Sequence, residues 1–525
     1  MPKLNTNDLK ELGQHLFDQA RPMLNLYQTL ADHFYPERAD FLMTRNVGAE
    51  LADALVDSYP ILVRRDLGNS FSAMLRDGEW FRVGVNGEPD HQGHMWLDWA
   101  SNRLLKIMNH RSAGFVRATK QGDHDYATFG QTVISVNPNR ERNGMLYQSW
   151  HLKDCAWFED ETGQIVGVVR KWNPTRRQLI DTFGEKKLHP DVLKDALKKP
   201  FERVSVYHFS IPSSIYGDDQ IEGKFPMVSI FLDINHDHLI EVEGLNHKQY
   251  VVPRFQTIAG SPYAYSPATV AGLPDARTLQ AMTHTLLEAG ERYARPPMIA
   301  TSKVIRSDVN LAPDGITWID DEYDERMGAG LRPITQDRGG FPIGLEMREG
   351  VVEVLSSAFY LNKLSLPDIT REMTAYEVSE RMKQFRRENL PLFAPLEAEY
   401  NGQLCELSFE IAMAHGFLGS LQEIPESLAE QNVEFKFESP LSRSEEEERA
   451  TRFTQVGQAL AVAKEYDPNI AMNVDFDTAV RDAIIGIGAP AHWLHPVEQV
   501  VQGRKMAMVQ QMAASAAQMG GMTGE

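Results

Sequence analysis

Apolar positions recur at spacings of three and four over residues 5–35, where Leu9, Leu12, Leu16, Leu24, Tyr27, Leu30 and Phe34 trace one face of a helix. Pro22 falls inside this run and predicts a break into two helices, and Pro36 ends it. A second helical stretch covers roughly residues 51–78. A third, "HMWLDWASNRLLKIMNH" at 94–110, offers Trp96, Trp99, Leu104 and Ile107 as one buried stripe. After residue 128 the stretches shorten and fill with β-formers: "QTVISVNP", "GMLYQSWHL", "QIVGVVRKW", "RVSVYHFSI", "FPMVSIFLDI" and "HLIEVEG". Gly, Asn and Asp separate several of them, as in an antiparallel β unit. The insert at 173–200 reads as helical, with Thr175 as an N-cap and Pro190 as the first residue of its second helix.

The stretch 261–298 is a proline-punctuated loop, a long segment free of proline, and then Pro-Pro. A helix begins near Pro274 and Asp275 and ends near Gly290. Ala276, Leu279, Met282, Leu286, Ala289 and Tyr293 form a seam suited to packing on neighbouring helices. Twenty such residues make a rod of about 30 Å. Residues 295–345 read as short strands and loops around "WIDDEYDERMG". Helix resumes with "GLEMREGVVEVLSSAFYLN", followed by the loop "KLSLPDITREM". A further helical region opens at Thr374, with Glu377 in the capping-box position and with Pro391 and Pro395 bending or breaking it. "VEFKFESPL" reads as one more strand, and "SRSEEEERATRF" opens a helix with its acids in the first turns. The Met- and Ala-rich tail is helical until its glycines.

The chain has 525 residues and a formal net charge of −20. That charge argues against a general nucleic-acid binder, but it suits a surface past which a polyanion must slide. Two cysteines, Cys155 and Cys405, build neither a disulfide framework nor a four-cysteine zinc site and point to a reducing setting such as the cytosol. No signal peptide opens the sequence, and no apolar run is long enough to span a membrane. "DINHDH" at 233–238 starts like a calcium loop, but His238 and Gly244 stand where Gly and a bidentate Glu are needed, so it reads as a strand edge and turn. "HWLH" pairs two histidines with no third ligand in view, and "QGDHDYATFG" places His124 between Asp123 and Asp125. No nucleotide-binding or nucleophile-elbow motif is present.

The order of segments resembles the portal, or head-to-tail connector, family of short-tailed tailed bacteriophages. The likeness rests on "LYQTLADHFYPERADF", on "LLKIMNHRSAGFVRATKQGDHDYATFGQTVISV" followed by "WHLKDCAWFEDETGQIVGVVRKWNPTRRQL", and above all on "YAYSPATVAGLPDARTLQAM" followed by "PPM". "MTAYEVSERM" and "ESPLSRSEEEERA" continue it. The resemblance implies an α+β portal fold assembled as a ring of about twelve subunits around a DNA channel. It places an α/β wing at 1–265, a first stem helix at 266–294, a small α/β clip at 295–345 and a second stem helix at 346–361. A tunnel loop follows at 362–373, wing helices and a strand at 374–470, and a helical crown at 471–525.

By the same resemblance Lys363 and Arg371 sit in the tunnel loop, where they touch passing phosphates. Asp320, Asp321, Glu322, Asp324 and Glu325 form a clip surface for a basic partner. Leu279, Met282, Leu286 and Tyr293 pack the stem against the next copy. The implied partners are further copies of the chain, double-stranded DNA passing through non-specifically, a terminase packaging motor, a tail adaptor, capsid and scaffolding proteins, and internal core proteins. Neither a cofactor nor a membrane is implied. The location is the head–tail vertex of the virion, with assembly in the host cytoplasm. Two readings compete: a soluble metal-dependent hydrolase built on His124, Asp123 and Asp125, and a scaffold that only oligomerises.

Overall fold

The computed structural model describes the chain apart from residues 1–2, 45–47, 53–54, 77, 88, 142, 295–297, 301–330, 334–339, 365–395, 420–423, 429–430, 438–452, 462–473, 487–492, 496–498 and 511–525. Helix and sheet are mixed throughout. Helix α1 (Thr6–Phe34) is capped by Asn5, whose Oδ1 accepts the N–H groups of Asn7 and Asp8 while Asp8 accepts the N–H of Asn5. The break expected at Pro22 is absent. Pro22 lies on the exposed face, where water can solvate the carbonyl its missing N–H leaves free. The buried faces on both sides of it keep the helix continuous. Leu9 and Leu16 pack with Val169, Phe209 and Ile230, while Tyr27, Leu30 and Phe34 enter the main core. Gly13 lets the helix approach the sheet, since a Cβ there would lie 2.9 Å from the Tyr207 ring.

The second helical stretch is shorter than the sequence suggests: α2 covers Tyr59–Leu75. Strand β1 (Phe81–Val85) follows, then α3 (His91–Met108) and α4 (Phe115–Phe129). The buried stripe of α3 is Leu97, Ala100, Leu104 and Met108, and Trp99 is exposed. The stripe runs about one position round from the expected one, because small Ala100 and Ser101 meet β1 where Trp99 would not fit. Ser101 Oγ there accepts the N–H of Val83.

The β-rich region forms as expected. Strands β2 (Val133–Pro138) and β3 (Met145–Trp150) pair antiparallel. Strands β4 (Cys155–Glu159), β5 (Ile165–Trp172), β6 (Val206–Pro212), β7 (Met227–Asp233) and β8 (His238–Leu245) make an antiparallel meander, with Val169 opposite Phe209 and Phe209 opposite Ile230. Short β9 (Tyr250–Val251) adds to β2, and β10 (Gln256–Thr257) pairs with β11 (Ala264–Tyr265). Helices α5 (Arg176–Phe183) and α6 (Pro190–Lys198) fill the insert. Thr175 and Gln178 make the reciprocal capping box, and Pro190 opens α6. The "DINHDH" stretch is the β7–β8 turn, where Asp233 binds the N–H of Asn235 and the ring of His236.

Helix α7 (Ser213–Tyr216) is one turn. A π-helical turn at Ala268–Gly272 leads into α8 (Leu273–Ala294). Strands β12 (Met298–Ala300) and β13 (Leu331–Pro333) pair antiparallel, and α9 (Gly340–Ala358) returns. It starts six residues before the expected position at 346. Pro342 falls in its first turn, where no N–H is needed, so the proline signals a helix start rather than a loop. Short α10 (Leu361–Leu364) follows Tyr360, whose φ of 60° ends α9. Helix α11 (Gln403–Ala414), strand β14 (Val433–Phe437) and helix α12 (Phe476–Gly486) complete the described elements used below. Strand β14 pairs with β1, Phe81 opposite Phe437, across most of the chain's length.

Candidate functional site

Helices α8 and α9 form an antiparallel hairpin. Its register follows from three contacts: a Cβ at Gly344 would meet Leu286 at 2.8 Å, Arg348 reaches Thr283, and a Cβ at Gly272 would meet Phe359 at 2.8 Å. The β12–β13 pair, Met298 opposite Pro333, extends the same hairpin beyond the helices.

The middle of the hairpin is anchored to the segment before α2. Asp57 Oδ2 accepts from Arg348 Nη2 at 2.6 Å and from Thr283 Oγ1 at 2.9 Å, and Asp57 Oδ1 accepts the Tyr59 N–H at 2.9 Å. Gln280 Oε1 accepts the N–H groups of Val56 and Asp57 at 2.8 and 2.9 Å, and its amide donates to the Asp57 carbonyl. Asp57 is buried. Burial alone would raise its carboxyl, but the Tyr59 N–H, Arg348 and Thr283 outweigh it and hold the group below its ordinary value of 3.8. This latch was not legible in the sequence. Its only trace is polar Gln280 and Thr283 at helical spacing, with Arg348 inside an apolar helix.

The expected stem residues divide. Leu279 is fully buried in this chain's own core, so it does not lie on a surface open to a neighbour. Met282 and Leu286 are half-buried, and Tyr293 is exposed. Leu287 on α8 and Ile343, Met347 and Val354 on α9 are further exposed apolar side chains; with Tyr293, each is more than half exposed. The α9 positions escaped notice because that helix is apolar on two faces, and its other face, through Leu355, is core. Lys363 falls in α10, outside the residues whose side chains are described. Arg371 and the acidic residues Asp320, Asp321, Glu322, Asp324 and Glu325 lie outside the described residues altogether.

The structure gives the hydrolase reading no support. Asp123, His124 and Asp125 sit on α4 and point to three different arginines. Arg76 Nη1 lies 2.9 Å from both oxygens of Asp123. Arg38 holds Asp125 at 2.7 and 3.1 Å. Arg64 Nη1 lies 3.2 Å from His124 Nδ1 and stacks on the Tyr35 ring. Burial, with Arg64 and Lys120, pushes the His124 imidazole down to about 4, so it is neutral near pH 7. Both aspartates are fully buried, and burial pushes their carboxyls up against the pull of their arginines. Lone pairs committed to separate guanidinium groups do not converge on one metal. Among the described residues no group of three or more His, Cys, Asp or Glu is placed to hold a metal ion, and no helix is long and apolar enough to cross a membrane. Cys155 and Cys405 are buried free thiols.

Residues 6–494 match the family described as bacteriophage head to tail connecting protein. The chain belongs to that family. It is 20% identical to the portal protein of Salmonella phage epsilon15, in an alignment that covers 98% of this chain and 92% of that protein. Among solved structures it aligns with a chain of the virion of the native gene transfer agent particle at 11% identity and a TM-score of 0.34, over 77% of this chain and 86% of the other. Connector membership makes this a structural protein of the virion vertex at which a phage head meets its tail.

Proposed function

We propose that this connector is the portal subunit, a non-enzymatic protein whose copies close into a ring around a duplex-DNA channel. The genome passes through that channel during packaging and ejection. The carrying observation is the set of exposed apolar side chains on the α8–α9 hairpin. Leu287, Tyr293, Ile343, Met347 and Val354 remain in water in a single chain although the hairpin is fixed at mid-length by Asp57. A rod packed on its own core yet apolar where it meets water is a strut awaiting identical neighbours. The net charge of −20 per chain becomes on the order of −240 in a twelve-fold ring, a field in which a polyanion slides rather than sticks. Lys363 and Arg371 would make the transient phosphate contacts in the tunnel loop. The acidic clip would dock a terminase motor first and a tail adaptor later. Capsid, scaffolding and internal core proteins would surround the wing and crown.

The test is Leu287→Glu with Met347→Glu. Both side chains are exposed, so the variant folds with the parent's circular dichroism but sediments as a lone subunit while the parent sediments as a ring. A variant that assembles as well as the parent removes this face from ring closure.

A further inference from the structure

On the wing, outside the α8–α9 hairpin, a cleft of about 710 Å³ opens between the C-terminal half of α3 and the β2–β3 turn. Its cations are Arg103, Lys106 and Arg140, and a fourth, Arg111, lies between lining residues His110 and Ser112. We propose that this cleft is a docking site for the sugar–phosphate backbone of duplex DNA running outside the channel.

Charge compensation carries the argument. The chain has a surplus of acids, yet among the described residues no carboxylate pairs with Arg103, Lys106 or Arg140. Arg140 Nη2 donates to the backbone carbonyl of Asp181 at 2.5 Å, and Arg103 Nε to that of Phe417 at 3.4 Å. These bonds aim each guanidinium but leave its charge unspent. The α3 C-terminus favours cations in its last turn. That accounts for Lys106, but not for Arg103 further up the helix or for Arg140 across the cleft.

The remaining lining joins the apolar Ile107, Ala113 and Met145 to neutral hydrogen-bonding groups on a set turn. Asn139 Oδ1 accepts the N–H groups of Asn143 and Gly144 at 2.9 and 3.3 Å, and His110 Nδ1 meets Ser112 Oγ at 2.7 Å. The one acid, Glu141, receives Asn143 Nδ2 at 2.9 Å. Fixed cations with amides and hydroxyls match phosphate oxygens, which carry no sequence information. Binding through them is sequence-independent and salt-sensitive. The genome as ligand comes from the proposed function. The cleft itself needs neither a ring nor a channel.

The probe is a fluorescent, covalently closed DNA minicircle, which cannot thread a channel, titrated with the full-length protein at several salt concentrations. With four cations engaged, log affinity should fall against log salt with a slope of about −3 to −4. Arg103→Gln, Lys106→Gln and Arg140→Gln should each weaken binding about five- to tenfold in low salt and make the slope shallower by about 1. Glu141→Gln should tighten it. Lys194→Gln with Lys198→Gln removes exposed charge from α6, elsewhere on the wing, and should change nothing. Unaltered binding in the three cleft variants overturns the proposal. So does displacement of the minicircle by poly-L-glutamate at a lower charge concentration than by unlabelled DNA, which would make the cleft an acidic-peptide site. A lone subunit that binds through the cleft would contradict only the ring, and a ring whose cleft variants bind like the parent would contradict only the cleft.

Discussion

At the residue scale the clearest design is the trio on α4. Each of three successive polar side chains is matched by an arginine from a different place in the chain: Arg76 after α2, Arg64 within α2 and Arg38 after α1. From the sequence alone, Asp-His-Asp suggests metal chemistry, because spacing says nothing about what lies opposite. The fold makes these residues struts between α1, α2 and α4. Arg76→Met should leave Asp123 buried without its counter-charge and destabilise the fold by about 3–5 kcal/mol. The double variant Arg76→Met with Asp123→Leu should recover most of that loss. Urea unfolding of both variants measures the difference, and an equal loss in the two would mean that packing, not charge, sets the cost.

At the scale of elements, what was legible is what is local. The N-cap at Thr175, the helix start at Pro190 and the short runs of β-formers in β5 to β8 follow from a few neighbouring residues. What failed depends on distant partners. Strand β14 was foreseen, but its mate β1 was not, because five alternating residues at 81–85 become a strand only when residue 437 arrives. Pro22 was read as a break because the two buried faces that hold α1 together belong to different cores.

The latch is of the same distant kind, and it titrates. Asp57 keeps its charge in the fold below its ordinary pKa of 3.8, so its stabilising contribution is complete above that value and is lost as pH falls through the lower folded one. Hydrogen exchange over residues 273–294 and 340–358 should therefore be slow at pH 5 and accelerate, relative to intrinsic rates, below about pH 4. Asp57→Asn should raise exchange about tenfold or more at pH 7 and flatten that pH dependence. Unchanged exchange in this variant would mean that packing around Leu355 and Phe359 fixes the hairpin without the latch.

At the scale of the whole molecule, one polypeptide combines a well-buried α/β core with a hairpin that keeps apolar side chains in water. That core was broadly readable from apolar periodicity. The exposed apolar set was half readable: the seam on α8 was seen, but Leu279 is consumed by the chain's own core, and the α9 contribution was missed. Sequence periodicity reports that a face is apolar without saying which body covers it. That distinction separates a monomer's core from a ring's interface. The most direct measurement is electron imaging of the purified full-length protein, class-averaged down the particle axis. The account predicts closed rings with an axial hole wide enough for a duplex and the α8–α9 hairpins around it. Lone globular subunits at every concentration and salt, or open filaments without an axial hole, would contradict it.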